Sequence, residues 1–203
     1  MSRTPASVRQ TWTALRALLL LTVVLGLGYP LVVLGIGQLL FPAQANGSLV
    51  RVDGQVVGSS LLGQSFTDAD GTPLPEWFQS RPSAAGDGYD GAASSGSNYG
   101  PENADLIAAI EERRAAIAEF DGIDPADVPA DALTASGSGL DPHISPAYAF
   151  LQVARVAEAR GLSTDVVRDL VEQHVQGRDL GYLGEPTVNV LELNIALAEL
   201  TAD

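Results

Sequence analysis

The chain has 203 residues, with 11 arginines, 25 acidic residues, no lysine and no cysteine, and its formal net charge is −14. The lack of lysine excludes a P-loop and Schiff-base chemistry, and the lack of cysteine excludes disulfides and thiolate metal sites. The chain is acidic and lacks the clustered basic residues that nucleic-acid binding requires. No nucleic-acid partner is therefore predicted.

The first predicted element is a membrane-spanning helix. Residues 18–40 are apolar and uncharged, and about 20 helical residues cross the roughly 30 Å hydrocarbon core of a bilayer. Arg3, Arg9 and Arg16 precede this stretch, whereas all acidic residues follow it. Cationic flanks remain cytoplasmic. The sequence therefore predicts a cytoplasmic tail (1–16), a single-pass helix in the cell membrane (17–41) and an extracytoplasmic domain (42–203).

A cleaved signal peptide is the alternative interpretation of this helix. Its apolar core usually spans about 7–15 residues, which is shorter than the stretch found here. The small-residue motif at residues 43–45 is also a poor cleavage site. We therefore favour a retained anchor, loosened or kinked where Tyr29-Pro30 interrupts it.

Two glycines indicate how the anchor could pack. Gly28 and Gly35 are seven residues apart and lie on one helical face. Small residues on one face allow another helix to approach closely. The alternative is that glycine is simply frequent in membrane helices.

The remaining elements predict an α+β domain with a small β-sheet or hairpin and about four helices. Residues 48–62 form a hairpin around Asp53-Gly54. Residues 65–101 form a long Gly/Ser/Pro/Asp-rich segment whose aromatic residues suggest that it is pinned to the core or to a partner. Proline and capping residues then predict four helices, which begin at Pro101, at Ser145-Pro146, after Ser163 and at the Asn189–Glu192 capping box; the second ends at Gly161 and the third at Gly177.

The densest polar cluster, residues 134–145, contains Ser136, Ser138, Asp141 and His143. These residue types invite a hydrolase interpretation. A catalytic triad, however, normally converges from separate segments, and no Gly-x-Ser-x-Gly elbow is present. We therefore predict no catalytic residue and interpret the cluster as a binding and positioning loop. His143 and the only other histidine, His174, lack metal-ligand spacing, so no metal site is predicted.

Several segments, taken together, resemble one family. Residues 134–146 read Thr-Ala-Ser-Gly-Ser-Gly-Leu-Asp-Pro-His-Ile-Ser-Pro, which is a very specific run. Six further segments keep the same order and spacing behind one N-terminal membrane helix. The chain thereby resembles the C subunit of the Kdp-type potassium-transporting ATPase, departing from it at Tyr99 and at residues 94–96. The further segments are residues 63–66, 78–84, 95–101, 155–157, 184–186 and 188–194.

The resemblance implies a place in a complex that takes up potassium at the expense of ATP. Its partners would be a channel-like potassium-translocating subunit, a P-type ATPase subunit and a small single-span subunit. The implied role is assembly, together with action as a catalytic chaperone that raises the ATP affinity of the pump subunit. ATP itself is implied by the resemblance only, because cytoplasmic ATP would not meet a domain held outside.

Polar residues within the shared segments are the predicted contacts to a partner or ligand: Gln64, Arg81, Asn98, Glu185 and Asn189. The chain contains neither an Asp-Lys-Thr phosphorylation sequence nor a Thr-Val-Gly-Tyr-Gly filter sequence, so it is neither the phosphorylated subunit nor the pore. Two functions remain open at this point. The first is an accessory subunit that braces the channel-like subunit, and the second is a free-standing, membrane-anchored extracytoplasmic hydrolase or solute-sensing domain.

Overall fold

The N-terminal part of the chain is one helical segment in which the hydrogen-bond period changes. The computed structural model describes residues 6–200 and divides the chain into two units, Met1–Leu49 and Val50–Asp203. In the first unit, helix α1 (Ala6–Leu21) continues through a π-helical segment (Thr22–Gly28) into helix α2 (Tyr29–Leu40), and helix α3 (Pro42–Ala45) follows. Residues Ala6–Leu40 are long and apolar enough to cross a membrane. Arg3 lies outside the described residues.

The π-helical segment lies directly before Pro30. The Tyr29 N–H bonds to Val24 O, five residues back, instead of four. Wide turns of this kind relieve the backbone where proline removes a donor and crowds the preceding turn. The structure therefore places the loosening expected at Tyr29-Pro30 on the N-terminal side of the proline.

The predicted hairpin follows α3 in the chain. Strands β1 (Leu49–Val52) and β2 (Gln55–Ser59) form a two-stranded sheet. Asp53 and Gly54, which connect them, have φ values of 50° and 78°. Two successive residues with positive φ characterise the type I′ turn, whose twist matches that of the flanking strands. The Asp-Gly prediction is confirmed.

A second sheet was missed in the sequence. It contains β3 (His143–Ile144), β4 (Val175–Gln176) and β5 (Thr187–Asn189) in the order β3-β5-β4, with both pairings antiparallel. Val188 in the central strand faces Ile144 on one side and Val175 on the other. Strands this short show no alternation in the sequence. The expected helix end at Gly177 was consequently wrong, because the chain enters β4 after His174.

Three of the four predicted helix starts are confirmed, and one is corrected. Asn103, not Pro101, begins the first helix, since its side chain accepts hydrogen bonds from the Asp105 and Leu106 N–H groups. Ser145, Ser163 and Asn189 cap the next three long helices as predicted. The helices are α4 (Ala104–Asp121), a 3-10 turn (Pro125–Asp127), α5 (Ala130–Leu133), α6 (Pro146–Arg160), α7 (Thr164–His174) and α8 (Val190–Glu199).

Helices α6, α7 and α8 pack with the three-stranded sheet to form the core, which confirms the α+β class. Most valines and leucines from these elements are almost completely buried. Phe78 is also 0% exposed, although it lies in the Gly/Ser/Pro-rich segment. The segment thus contributes a core side chain and is pinned to the domain. The fully buried aliphatic residues include Val153, Val156, Val167, Val171, Val188, Leu193 and Leu197.

Two side-chain amides hold this segment by its backbone. Asn194 accepts the Phe78 N–H at 2.9 Å and donates to the Phe78 carbonyl at 2.9 Å. Gln152 accepts the Gln79 N–H at 2.6 Å and donates to the Gln79 carbonyl at 3.1 Å. Each amide therefore satisfies both polar groups of one residue, as a neighbouring strand would.

A buried arginine completes the attachment. Arg155 donates to the carbonyls of Trp77, at 3.0 Å, and Pro75, and also to the Gln152 side chain. Its Nε lies 2.8 Å from the Asp121 carboxylate, and both side chains are almost fully buried. Burial raises the pKa of Asp121, and the charge and hydrogen bond of Arg155 oppose that rise. We refer to Gln152, Arg155 and Asn194 as the side-chain clamp.

Candidate functional site

Residues 134–145, the Ser/Gly loop, are shaped by their own serines. Ser136 Oγ accepts the Gly139 N–H at 2.9 Å, and Ser138 Oγ accepts the Leu140 N–H at 3.1 Å. The two hydroxyl oxygens are 3.4 Å apart. Short-range bonds of this type stabilise turns. Within residues 6–200, both hydroxyl oxygens accept bonds from the loop backbone, and neither is hydrogen-bonded to a histidine.

Asp141 and His143 lie together with Arg81 at the other end of the loop. One Asp141 oxygen accepts the His143 backbone N–H at 3.0 Å and lies 3.2 Å from its Nδ1, while the other lies 3.2 Å from Arg81 Nη1. Burial alone would raise the pKa of Asp141, but the His143 hydrogen bonds and the charges of His143 and Arg81 lower it below its ordinary value. Asp141 is therefore a stable carboxylate that orients two neighbours.

Arg81 connects this carboxylate to a different segment. Its Nε and Nη2 donate to the Thr134 carbonyl at 3.2 and 3.1 Å. The Arg81 carbonyl in turn accepts the Tyr89 hydroxyl at 2.8 Å. Desolvation raises the pKa of Tyr89 to about 12, which keeps the phenol protonated as a donor. Arg81 thus joins both ends of the Ser/Gly loop to the pinned segment.

Hydrogen bonds to three backbone carbonyls fix the middle of the loop. Ser83 Oγ donates to the Gly139 carbonyl at 2.6 Å, the Ser95 N–H donates to the Ser138 carbonyl at 2.9 Å, and the Gly63 N–H donates to the Leu140 carbonyl at 2.8 Å. Three separate stretches of chain therefore converge on three consecutive carbonyls, an arrangement suited to positioning.

Gly139 is the position where this convergence requires glycine. Its φ is +69°, and an added Cβ would lie 2.5 Å from the Ser95 carbonyl oxygen and 2.8 Å from the Ala85 nitrogen. Both obstacles are backbone atoms, which do not rotate away. Gly137, two residues earlier, has open space around the same position.

The other predicted contact residues divide into two groups. Gln64 donates to the Val57 carbonyl, and buried Asn189 donates to the Ser60 carbonyl and caps α8, so both amides are used within the chain. Asn98 and Glu185 are exposed. Arg81, Asp141 and His143 form one hydrogen-bonded network. Ser136 and Ser138 lie in the same loop but bond to its own backbone, and Glu185 pairs separately with Arg178.

A cavity of about 740 Å³ adjoins this network and was not anticipated. Phe66, Arg81, Ile117 and Phe120 line it together with Tyr148, which is 3% exposed. Desolvation raises the pKa of Tyr148, so its phenol stays neutral. A tyrosine in a helix resembles any core aromatic residue in a sequence, so no local pattern could have identified this cavity. Within residues 6–200, no group of three potential metal-ligating side chains is found.

We predict that Gly139→Val destabilises the C-terminal unit, by about 2–4 kcal/mol, because valine combines backbone strain with a backbone clash. Gly137→Val is the matched control, since its Cβ would meet no atom within 4 Å in the described structure. Chemical denaturation of the purified full-length variants would measure the difference. Equal stability of the two variants would contradict the assigned backbone convergence.

Comparison with known proteins covers nearly the whole chain. The family model described as "KdpC: K+-transporting ATPase, c chain" matches residues 11–199. The Potassium-transporting ATPase KdpC subunit of Kineococcus radiotolerans is 62% identical over 190 residues, which cover 94% of this chain and 93% of the relative. The proteins of the same description from Methylococcus capsulatus and Mycobacterium tuberculosis are 55% and 54% identical, and the matches cover 92% and 95% of this chain and 96% and 99% of those relatives. The chain belongs to the KdpC family of K+-transporting ATPase c chains.

Proposed function

We propose that this chain is the accessory and assembly subunit of a high-affinity, ATP-driven potassium uptake complex. One observation carries the proposal, namely the family match over residues 11–199 together with relatives described as Potassium-transporting ATPase KdpC subunits. In this role the chain braces the channel-like subunit from the extracytoplasmic side and also contacts the P-type ATPase subunit and the small single-span subunit. Potassium is the ion that the complex transports.

The geometry of the Ser/Gly loop supports an accessory role. The hydroxyl oxygens of Ser136 and Ser138 accept backbone N–H bonds, and Asp141 is engaged by Arg81 and His143. These groups hold the loop in one conformation. A preordered loop loses little entropy on docking, which favours a role in positioning a partner.

The charge distribution supports an extracytoplasmic location. The part of the chain after the apolar helix carries eight arginines and 25 acidic residues, a formal charge of about −17, whereas the flank before it contains only arginines. Basic flanks remain on the cytoplasmic side. A domain outside does not meet cytoplasmic ATP, so a direct catalytic-chaperone role in ATP binding rests on the family resemblance and requires the opposite orientation.

The partner test is co-purification of the full chain in mild detergent. We expect it to elute with the channel-like, P-type ATPase and small subunits in fixed stoichiometry, whereas a free-standing hydrolase or sensor would elute alone. Complete uptake complexes containing Ser138→Ala should retain potassium transport. Loss of transport from an intact complex would restore the chemical alternative.

The anchor glycines provide a sharper variant of this experiment. Gly28→Leu combined with Gly35→Leu should reduce co-purification, because added side chains prevent close helix contact in lipid. Gly26→Leu, two residues from Gly28 and therefore on a different face, is the control and should retain it. An unchanged yield of the double variant would show that these glycines are incidental to association.

Orientation is tested separately by fusing a reporter that is active only in the cytoplasm after Asp203. We expect this fusion to be inactive, because the three N-terminal arginines hold the N-terminus in the cytoplasm. A single membrane-spanning helix then places the C-terminus on the opposite side of the membrane. The same reporter fused before Met1 should be active. Strong activity of the C-terminal fusion would overturn the orientation and revive direct ATP binding.

A further inference from the structure

The segment between β4 and β5 exposes apolar side chains on a closed loop. We define residues 178–185 as the tip. Leu180, Tyr182 and Leu183 in the tip are 83%, 69% and 49% exposed. Three large apolar residues within four positions form a concentrated patch, unlike the single exposed hydrophobic residues that any protein surface carries.

The tip is held in one shape by its own hydrogen bonds. The backbones of Asp179 and Leu183 exchange two bonds, each of 2.9 Å. Arg178 donates to the Gly184 carbonyl at 2.8 Å and pairs with the Glu185 carboxylate across the base. The apolar side chains are therefore presented by a closed ring of residues.

Leu180 is held in an unfavourable conformation. Its φ is 52°, in the left-handed region that glycine adopts readily and a bulky residue does not. This leucine is therefore strained although it is 83% exposed and buries little apolar surface on folding. Strain at an exposed position is typical of a site at which the side chain is used by a partner.

We propose that the tip docks into an apolar pocket on the extracytoplasmic surface of another subunit of the uptake complex, with Tyr182 and Leu180 as anchors. The inference rests on the proposed function and deepens it by naming the contact. Tyrosine is enriched among residues that dominate binding energy at interfaces. A rigid loop loses little entropy when it binds.

Charge selects a protein partner over two other occupants. Two copies of this chain would each bring a domain of about −17 to the contact, and an anionic lipid surface would repel the same domain. The tip contains only one arginine, Arg178, which is already paired with Glu185. An apolar pocket on another subunit avoids the repulsion from a second acidic domain and from anionic lipid.

Photocrosslinking of the assembled complex in cells identifies the occupant directly. With Tyr182→p-benzoylphenylalanine, we expect an adduct with another subunit of the complex. With Ile107→p-benzoylphenylalanine, at a position in α4 that is 47% exposed, we expect none. A dimer of this chain, a lipid adduct alone or no adduct at position 182 would each overturn the proposal.

Substitution then measures the contribution of the tip. Leu180→Gly, which suits the backbone, combined with Tyr182→Ser should reduce co-purification of the other subunits by about tenfold or more. Ile107→Ser should leave it unchanged, and thermal unfolding of each full-length variant should confirm that the domain stays folded. Full co-purification of the double variant refutes the tip contact while the subunit function stands. If the unsubstituted chain also purified alone, the proposed function itself would fail.

Discussion

The side-chain clamp is the interaction on which the rest of the C-terminal unit depends. Residues 65–101 have few features that would fold them independently, yet Phe78 occupies the core. Gln152 and Asn194 each satisfy both backbone groups of one residue in this segment. Because an unsatisfied buried peptide group costs about 1–3 kcal/mol, these amides allow an irregular segment to cross the interior.

Arg155 has a similar role but carries a charge. Its pairing with Asp121 is almost completely buried, and such pairs gain little net stability because both ions lose water. The guanidinium also binds the carbonyls of Pro75 and Trp77. Its structural value therefore lies in specifying one path for the segment, since any other path would leave a buried charge with fewer partners.

The clamp also positions the candidate site. Gln79 is held at the end of the clamped stretch, and Arg81 and Ser83 follow within four residues. These two side chains reach the Ser/Gly loop, which Gly63 and Ser95 hold from other directions. Hydrogen bonds and a short stretch of backbone thus connect the hydrophobic core with the Ser/Gly loop.

Short sequence motifs predicted the turn and three of the four helix starts correctly. Asp53-Gly54 predicted the hairpin, and Ser145 and Ser163 predicted helix starts, because these residues act on backbone groups only a few positions away. The three-stranded sheet was missed because its strands have two or three residues and form only through distant partners. The first helix begins after Asn103 and not at Pro101, because the Asn103 side chain caps two N–H groups of the first turn.

The site was predictable only in part for the same reason. Asp141 and His143 are near neighbours in sequence, and their association follows from the loop. The cavity beside Tyr148 and the long-range bonds of Gln152 and Asn194 involve residues more than 60 positions apart. In the sequence, Gln152 and Asn194 look like ordinary helix residues, because only the folded structure places them beside residues 65–101.

Amide hydrogen exchange at Phe78 and Gln79 tests the central claim most directly. Both N–H groups are bound by side chains of the clamp, so they should exchange only when the domain unfolds, with protection within about tenfold of that of the Val153 and Val156 amides in α6. Rapid, loop-like exchange at Phe78 and Gln79 while α6 remains protected would contradict the account.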